Sequence, residues 1–319
     1  MNRNVRSFEL RVPASASNIG AGFDFVGMAV DRWLELSVRA TGSSTPVTIH
    51  RAGTLASLDC AASDDLILRG VVAACNTLGK TPPLGIEIDA TSTIPVARGL
   101  GSSAAAVVAG VLLANELFAS ELDDATVIDI AASVEGHPDN AAPSVLGGAV
   151  LSVQTALHAY RSVQLSVHPS LRFVFLVPDF EVRTSVARAV LPSKVDFHTA
   201  VTAASRAAAL IVGLQSGDRA ILAPALDDVL HVPYRRQLVT CYDSVTAAAL
   251  AAGAIGATLS GSGSTVVAIT TESTQAGVRD AAINAWKSCG INAESFITSV
   301  EQRGASVGSA IAIQHSRIL

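Results

Sequence analysis

Residues 95–105 read PVARGLGSSAA, and this stretch decides how the rest of the chain is interpreted. Gly99 and Gly101 permit positive φ angles and let backbone N–H groups approach a ligand closely. Ser102 or Ser103 can cap the helix that we expect to begin there. The start of that helix offers N–H donors without intrahelical partners and a partial positive charge. The stretch therefore predicts an anion-binding site.

Two better-known glycine loops do not match this stretch. It lacks the Lys-Ser/Thr pair of the P-loop NTPases, and it lacks the third glycine of the dinucleotide fingerprint. A plain glycine turn with a serine cap is the structural alternative, and it would be the better interpretation of an isolated Gly-x-Gly. The full eleven-residue string is far more specific than that.

The composition restricts the classes of function. Half of the 319 residues are hydrophobic, 15% are charged, the net charge is −5 and the mean hydropathy is +0.44. Without a basic stripe, nucleic acid is not expected as a partner. Residues 104–114 are too few to cross a bilayer, which takes roughly 20 apolar residues. Residues 247–259 are mostly Ala and Gly, so both stretches predict buried helices, with a possible strand at the end of the second, and no membrane association.

The start of the chain and its cysteines indicate a cytoplasmic protein. Residues 1–11 alternate charged and apolar side chains, so no signal peptide is predicted. Cys60, Cys75, Cys241 and Cys289 are widely spaced and form no CxxC pair. We therefore expect reduced thiols, in preference to disulfides or a metal site.

Strands and helices are mixed along the chain without strict alternation. Apolar alternation predicts strands at residues 8–12, 34–38 and 86–93, and Asp64 or Asp65 could cap a helix that follows. In the second half the pattern includes one helix over residues 235–252. The order predicts an α+β fold with two lobes, which we divide into residues 1–160 and 161–319.

Three further blocks place chemically capable side chains in loops. Residues 12–24 (VPASASNIGAGFD) contain Asn18 and Asp24, whose carboxylate could hold an ammonium group. Both side chains could equally satisfy their own backbone. Residues 135–143 (EGHPDNAAP) contain Glu135, a candidate magnesium ligand, and His137, a candidate donor to an anion or an ordinary turn histidine. Residues 259–264 (LSGSGS) form a second glycine loop, which is a weak signal by itself.

Together these blocks resemble a known family along nearly the whole chain. The first glycine loop is similar to the PxxxGLGSSAA loop of the GHMP kinases. Residues 184–192 (TSVARAVLP) and 230–235 (LHVPYR) resemble the homoserine kinase branch of that family. The resemblance implies a cytoplasmic, homodimeric enzyme that uses ATP and Mg²⁺ to phosphorylate the side-chain hydroxyl of L-homoserine in threonine biosynthesis. It also implies an N-terminal lobe of ribosomal-S5-like βα topology and a ferredoxin-like C-terminal lobe.

The resemblance implies a role for individual residues. The substrate would contact Asn18, Asp24, His137, Asn140, Arg183 and Arg235, with Asp24 near the ammonium group and the two arginines on the carboxylate. The ATP site would comprise Asp65, Pro95, Ala97, Arg98, Gly99, Leu100, Gly101, Ser102, Ser103 and Ala104. Magnesium would bind Glu135 together with Ser102 or Ser103, and Ser133 is an alternative to Glu135. The catalytic set would be Asn140, Glu135 and Asp139.

Asp139 is the candidate base by residue type, but Asn140 beside it could be the residue that reaches the hydroxyl. We favour in-line transfer without a dedicated side-chain base, since a loose transition state mainly requires positioning and charge stabilisation. The competing interpretations are a GHMP kinase acting on threonine, shikimate or mevalonate, and a nucleotide-binding homologue without catalysis. A purely structural protein would give no reason for two glycine loops.

Overall fold

The computed structural model describes residues 6–156 and 159–309. The stretch for which no signal peptide is predicted lies in part outside the described residues, at residues 1–5. Residues 157–158, near the predicted lobe boundary, also lie outside them. The strands are β1 (Arg6–Ser17), β2 (Val26–Ala40), β3 (Thr48–Gly53), β4 (Ile86–Ser92), β5 (Ala149–Ala156), β6 (Ala159–Leu165), β7 (Leu171–Pro178), β8 (Gly256–Leu259), β9 (Val266–Thr271), β10 (Ala293–Thr298) and β11 (Ser306–Ser309). The helices are α1 (Leu66–Leu78), α2 (Ser102–Phe118), α3 (Asp124–Glu135), α4 (Ala141–Leu146), α5 (Thr184–Ala189), α6 (Phe197–Ser216), α7 (Arg219–Ala225), α8 (Val232–Arg235), α9 (Tyr242–Ala251) and α10 (Gln275–Ser288).

The strands form two sheets, which confirms the predicted α+β class. The first has the order β11-β1-β2-β4-β3, with β5 and β6 continuing from β2, and only the β3–β4 pair is parallel. The second has the order β10-β7-β9-β8 and is antiparallel throughout. Since β11 pairs with β1, the chain returns to the first sheet near its end. The division at residue 160 stays a prediction.

Helix α2, which follows the first glycine loop, is the buried centre of the first lobe. Its side chains are apolar on nearly every face, and nine of its 17 residues are buried. A helix that is apolar all round needs cover on all sides. Strand β1, helix α1 and helix α3 supply that cover, so the start of α2 is held in a fixed position.

Two glycines let α1 and α2 approach at backbone distance. A Cβ placed on Gly110 would lie 2.0 Å from the carbonyl oxygen of Ile67, and a Cβ on Gly70 would lie 2.3 Å from that of Val107. Neither carbonyl can move without distorting its own helix. This close contact fixes α2 against α1.

Two sequence expectations for the second half were wrong. The single helix predicted over residues 235–252 is divided into α8, a 3₁₀ turn (Arg236–Leu238) and α9. Cys241 lies between the turn and α9 and is disulfide-bonded to Cys289 at the end of α10. Spacing along the chain could not reveal this pairing, because the fold brings together two cysteines that are 48 residues apart. Cys60 and Cys75 are free, as predicted.

Helix α6 is the one described helix that is long and apolar enough, by length and composition, to cross a membrane. Core helices of soluble proteins satisfy the same criterion. One face of α6 packs inward through Ala203, Leu210 and Leu214, and α7 lies against the helix. The exposed face carries Phe197 and Val201.

We expect Gly110→Ala to destabilise the protein by about 1–3 kcal/mol, because the new methyl group overlaps the backbone of α1. Gly277→Ala is the matched control, since a Cβ on this α10 glycine has no atom within 4 Å. The control should keep or gain stability, by up to about 1 kcal/mol from helix propensity. Urea denaturation of both variants measures the difference, and equal stabilities would contradict the close helix contact.

Candidate active site

A cleft of about 390 Å³ lies between the start of α2 and the second lobe, a size typical of small-molecule sites. Its walls come from β1, α1, the first glycine loop, α3 and its following turn, α5, α8 and the second glycine loop. The lining residues are Ser17, Asn18, Leu66, residues 96–103, Val134, Glu135, His137, Asn140, Thr184, Arg188, Arg235, Gly261 and Ser262.

The start of α2 forms one end of this cleft. Gly101, with φ of 66°, is the residue before the helix, and no side chain caps it. The expected serine cap was therefore wrong. The first helical hydrogen bond runs from the Ala105 N–H to the Gly101 carbonyl at 2.9 Å. The preceding N–H groups have no acceptor within the helix and give this end a partial positive charge.

The serine hydroxyl that was expected to cap the helix instead meets a carboxylate. Ser103 Oγ donates to Glu135 Oε2 at 2.7 Å. Both residues line the cleft beside the start of α2. Hydroxyl and carboxylate oxygens are ligands that suit Mg²⁺, and the ion usually binds in company with substrate phosphates. The pair therefore fits a magnesium ion, with Ser103 in closer contact with Glu135 than the predicted Ser102.

The second lobe holds the first glycine loop in place. Ser260 Oγ donates to the Gly99 carbonyl at 2.6 Å. The Arg98 side chain donates to the carbonyls of Pro178 and Asp179, and also to that of Val96 within the loop, each at 3.1 Å. Arg98 was predicted as an ATP ligand, and it does line the cleft, but its guanidinium is bonded to the end of β7.

Asn140 lines the cleft, and hydrogen bonds fix the orientation of its amide. Its Oδ1 accepts from Ser15 Oγ at 3.0 Å, and its Nδ2 donates to Ser17 Oγ at 2.9 Å. Both serines belong to β1. The side chain thus presents a polar group of fixed direction towards the cleft.

Asp139 does not share that position. It is 1% exposed, and its Oδ1 is hydrogen-bonded to Nδ1 of His137. Its Oδ2 is buried, with no partner among the described residues. Burial lowers the pKa of His137, but the hydrogen bond and charge of Asp139 outweigh this, so the pKa lies above 6.5. A carboxylate enclosed in this way does not reach the cleft as a base.

Two arginines, on α5 and α8, make part of the cleft lining cationic. Arg235 is 1% exposed, and it donates to the carbonyls of Ala187 and Gly261 at 3.1 and 3.3 Å. Burial and the neighbouring Arg188 charge lower its pKa to about 10. Arg188 forms a bidentate pair with Asp24 at 2.9 and 2.8 Å. This pair raises the pKa of Arg188.

An aromatic ring and a capped helix support Arg235. The Arg235 Cζ atom lies 4.9 Å from the centre of the Phe23 ring. The Phe23 ring is also stacked on the ring of His231. Asp228 Oδ2 accepts from three successive backbone N–H groups at the start of α8, those of residues 230–232. The face of the Phe23 ring and the fixed position of α8 offset part of the free-energy cost of burying the Arg235 charge, which also has two carbonyl acceptors.

The structure brings together most, but not all, of the predicted site residues. Those that line the cleft are Asn18, Ala97, Arg98, Gly99, Leu100, Gly101, Ser102, Ser103, Glu135, His137, Asn140 and Arg235. Asp24 borders the cleft next to His137. Pro95 and Ala104 flank the loop without lining the cleft, and Ser133, the alternative to Glu135, bonds to the Ile130 carbonyl within its own helix.

Two predicted positions lie elsewhere. Arg183 is exposed at the start of α5 and does not line the cleft. Arg188, in the last turn of that helix, faces the cleft instead, and sequence reasoning assigned it no role although it lies within residues 184–192. Asp65 is buried and does not line the cleft, and it caps α1 through Leu68 N–H and is ion-paired with Arg51.

The cleft lining combines two kinds of polar group. The start of α2 offers helix N–H groups beside the Ser103–Glu135 pair, which suit phosphates and a divalent cation. Arg188 and Arg235 offer guanidinium groups, which suit a carboxylate. Asn140 lines the same cleft as a polar contact of fixed orientation. Such an arrangement can hold a polyphosphate and a small anionic molecule in one cleft.

The chain matches two family models, which cover different parts of the sequence. Residues 65–148 match the GHMP kinases N terminal domain, and residues 204–288 match the GHMP kinases C terminal model. The homoserine kinase of Synechocystis sp. is 37% identical over 94% of this chain and 98% of its own length. The homoserine kinase of Deinococcus radiodurans is 40% identical over 84% and 85%.

Solved structures show the same similarity at the level of the fold. A homoserine kinase from Cytophaga hutchinsonii is 30% identical and covers 96% of this chain and 99% of its own, with a TM-score of 0.84. A mevalonate kinase structure at 13% identity covers 92% and 99%, with a TM-score of 0.65. The second likeness shows a shared fold and nothing finer.

Gly101→Ala should weaken binding of inorganic tripolyphosphate at least about tenfold, or roughly 1.4 kcal/mol. A Cβ at this positive φ would lie 2.2 Å from Ser15 Oγ and 3.0 Å from Asn140 Oδ1, so the loop must move. Gly79→Ala is the control, because Gly79 has φ of 63° and nothing within 4 Å of a new Cβ. Isothermal titration calorimetry compares them. Unchanged affinity in Gly101→Ala would exclude this loop as the anion site.

Proposed function

Since this chain belongs to the GHMP kinase family, we propose that it is a homoserine kinase, which transfers the γ-phosphoryl group of ATP to the side-chain hydroxyl of L-homoserine. The product, O-phospho-L-homoserine, then serves threonine biosynthesis. Relatives named homoserine kinase that align over nearly the full chain support this assignment. The observation that carries it is the pair Arg188 and Arg235, which line the same cleft as the start of α2.

The triphosphate would lie against the backbone of residues 97–104. There the N–H groups at the start of α2 would stabilise the negative charge of the transferred group without reorganisation. Glu135 and Ser103 would hold Mg²⁺, which when bound neutralises charge on the phosphates. The proposal that the metal is magnesium rests on these two oxygen ligands, the Glu135 carboxylate and the Ser103 hydroxyl.

The amino-acid substrate would occupy the cationic end. Its carboxylate would bind the Arg188 and Arg235 guanidinium groups, and its hydroxyl would point towards Asn140. The amide of Asn140 is fixed by Ser15 and Ser17 and can orient the hydroxyl for in-line attack. The enclosed Asp139, bonded to His137, supports transfer without a side-chain base.

The remaining expectations stay proposals. We propose that the protein is cytoplasmic, binds neither nucleic acid nor membrane, and forms a homodimer. The exposed apolar side chains of α6, including Phe197 and Val201, give a surface that a second copy could cover. Sedimentation equilibrium would test the dimer, and a monomer at micromolar concentration would refute it.

Release of ADP from Mg-ATP tests the substrate directly. We expect turnover with L-homoserine to exceed that with L-threonine, shikimate and mevalonate. Arg188→Leu should raise KM for homoserine by roughly 10–100-fold, since a hydrogen bond to a charged group contributes about 1.5–3 kcal/mol. KM for ATP should change little, because Arg188 lies on α5 and is not part of the glycine loop that would hold the triphosphate.

Arg183→Leu is the matched control for Arg188→Leu. It removes a guanidinium group from an exposed position at the start of the same short helix. The KM values for homoserine and ATP should therefore stay close to those of the wild type. An Arg183 effect equal to the Arg188 effect would show that the carboxylate binds elsewhere. Turnover on mevalonate alone would keep the fold and refute the homoserine assignment.

Glu135→Gln should raise the Mg²⁺ concentration for half-maximal activity at least about tenfold, because an amide oxygen carries no charge for the ion. Glu116→Gln changes an acidic residue of α2 that does not line the cleft, and it should leave this concentration unchanged. A titration of activity against free Mg²⁺ at saturating ATP gives the comparison. Equal magnesium dependence in both variants would contradict Glu135 as a ligand.

A further inference from the structure

The Cys241–Cys289 disulfide joins α9 to α10 in the second lobe. Cys241 is the residue before α9, and Cys289 is the residue after α10. Both residues are partly exposed, so small thiols in solution have access to the bond. The free thiols, Cys60 and Cys75, lie before and within α1. The chain thus carries an accessible disulfide together with thiols that are reduced.

The helices on either side of this disulfide pack together through apolar side chains. Val245 and Ala249 of α9 and Val278, Ala282 and Trp286 of α10 are buried in the same core. These contacts do not depend on the two sulfur atoms. Reduction of the disulfide should therefore leave the second lobe folded and affect mainly the chain next to the two cysteines.

The backbone of Cys241 adopts a conformation that cysteine rarely has. Its φ is 58°, in the left-handed region that is unfavourable for a residue with a Cβ atom. The disulfide ties the side chain of Cys241 to the end of α10 and so opposes relaxation of this residue. Opening the bond removes that restraint, and the turn before α9 is then free to change its conformation.

This turn is connected to the cleft by a short run of backbone hydrogen bonds. The Tyr242 N–H donates to the Val239 carbonyl, and the Val239 N–H donates to the Arg236 carbonyl, both at 3.1 Å. Arg236 directly follows Arg235, whose side chain lines the cleft. A change of conformation at Cys241 is therefore transmitted to the residues that position Arg235.

We propose that Cys241 and Cys289 form a reversible redox switch, whose oxidised form holds the segment after Arg235 in place and whose reduced form releases it. The effect on the cleft rests on the proposed function. In the cytoplasm, where we propose that the protein acts, disulfides are rare, and those that form are usually transient and catalytic or redox-sensing. The switch would couple homoserine binding to the balance of thiols and disulfides around the protein.

A dithiol opens the bond in two exchange steps. One thiolate of the dithiol attacks Cys289 Sγ, which forms a mixed disulfide and releases Cys241 as a thiolate. The partial positive charge at the start of α9 favours this leaving group, and the nearby Asp243 carboxylate is paired with Arg236 at 3.2 Å. The second thiol of the dithiol then displaces Cys289. Two electrons and two protons pass to the cysteines, the dithiol becomes a disulfide, and oxidised glutathione reverses the exchange.

The test measures the Kd of wild type for L-homoserine by calorimetry, before and after treatment with dithiothreitol. We expect reduction to raise this Kd at least about fivefold, at the lower end of coupling between separate sites. Removal of dithiothreitol and addition of oxidised glutathione should restore the starting value. Alkylation followed by mass spectrometry reports the state of Cys241 and Cys289 in the same samples, and circular dichroism reports whether the protein stays folded.

Two variants separate this bond from other thiols. Cys289→Ser removes the bond and should bind homoserine as reduced wild type does, with or without dithiothreitol. Cys60→Ser is the matched control, because Cys60 is a partly exposed free thiol, and this variant should respond to dithiothreitol as wild type does. Treatment of wild type needs no substitution, so poor folding of Cys289→Ser would leave the main comparison intact.

Each outcome decides a different question. Equal Kd values in the oxidised and reduced wild type would overturn the switch. So would a bond that dithiothreitol opens only in denaturant, or unfolding of the protein on reduction, since either result indicates a purely structural disulfide. Turnover of wild type on homoserine would keep the proposed function in all three cases. Absence of that turnover in both redox states would refute the proposed function, and the switch with it.

Discussion

The burial of α2 behind its first turn is the constraint on which the rest of the structure depends. A helix apolar on nearly every face must be enclosed, and β1, α1 and α3 enclose it so that only its first turn reaches the cleft. The partial positive charge of that turn cannot be moved elsewhere without unpacking the lobe. Contacts from the second lobe, such as Ser260 to the Gly99 carbonyl, then fix the loop before the helix. An anion site at this place is a direct result of the packing.

The cleft carries a second concentration of positive charge on α5 and α8. Arg235 is buried on a short helix whose first N–H groups are capped by Asp228, and Phe23 lies against its guanidinium. Such a cation is held ready for an anionic ligand because it has carbonyl acceptors but no carboxylate of its own among the described residues. Asn140, fixed by two serines of β1, lines the same cleft.

Sequence reasoning predicted what depends on local chemistry. The glycine loop, the following helix and the cap of α1 by Asp65 all follow from short-range rules, and the structure has each of them. It failed where tertiary contacts decide. Asp65 was assigned to the nucleotide, but it is buried, caps α1, pairs with Arg51 and does not line the cleft. The resemblance gave Arg183 a role and Arg188 none, because helical phase relative to the cleft cannot be deduced from a motif. The Cys241–Cys289 bond joins elements that are adjacent only in the fold.

The central claim is that a nucleotide and homoserine lie end to end between α2 and the two arginines. A crystal structure with L-homoserine and a non-hydrolysable ATP analogue in the presence of Mg²⁺ tests it most directly. The account predicts the γ-phosphate at the N–H groups of residues 101–104, and the substrate carboxylate on Arg188 and Arg235. It predicts the hydroxyl facing the γ-phosphate beside Asn140. Phosphates bound away from the start of α2, or a homoserine carboxylate away from both arginines, would contradict it.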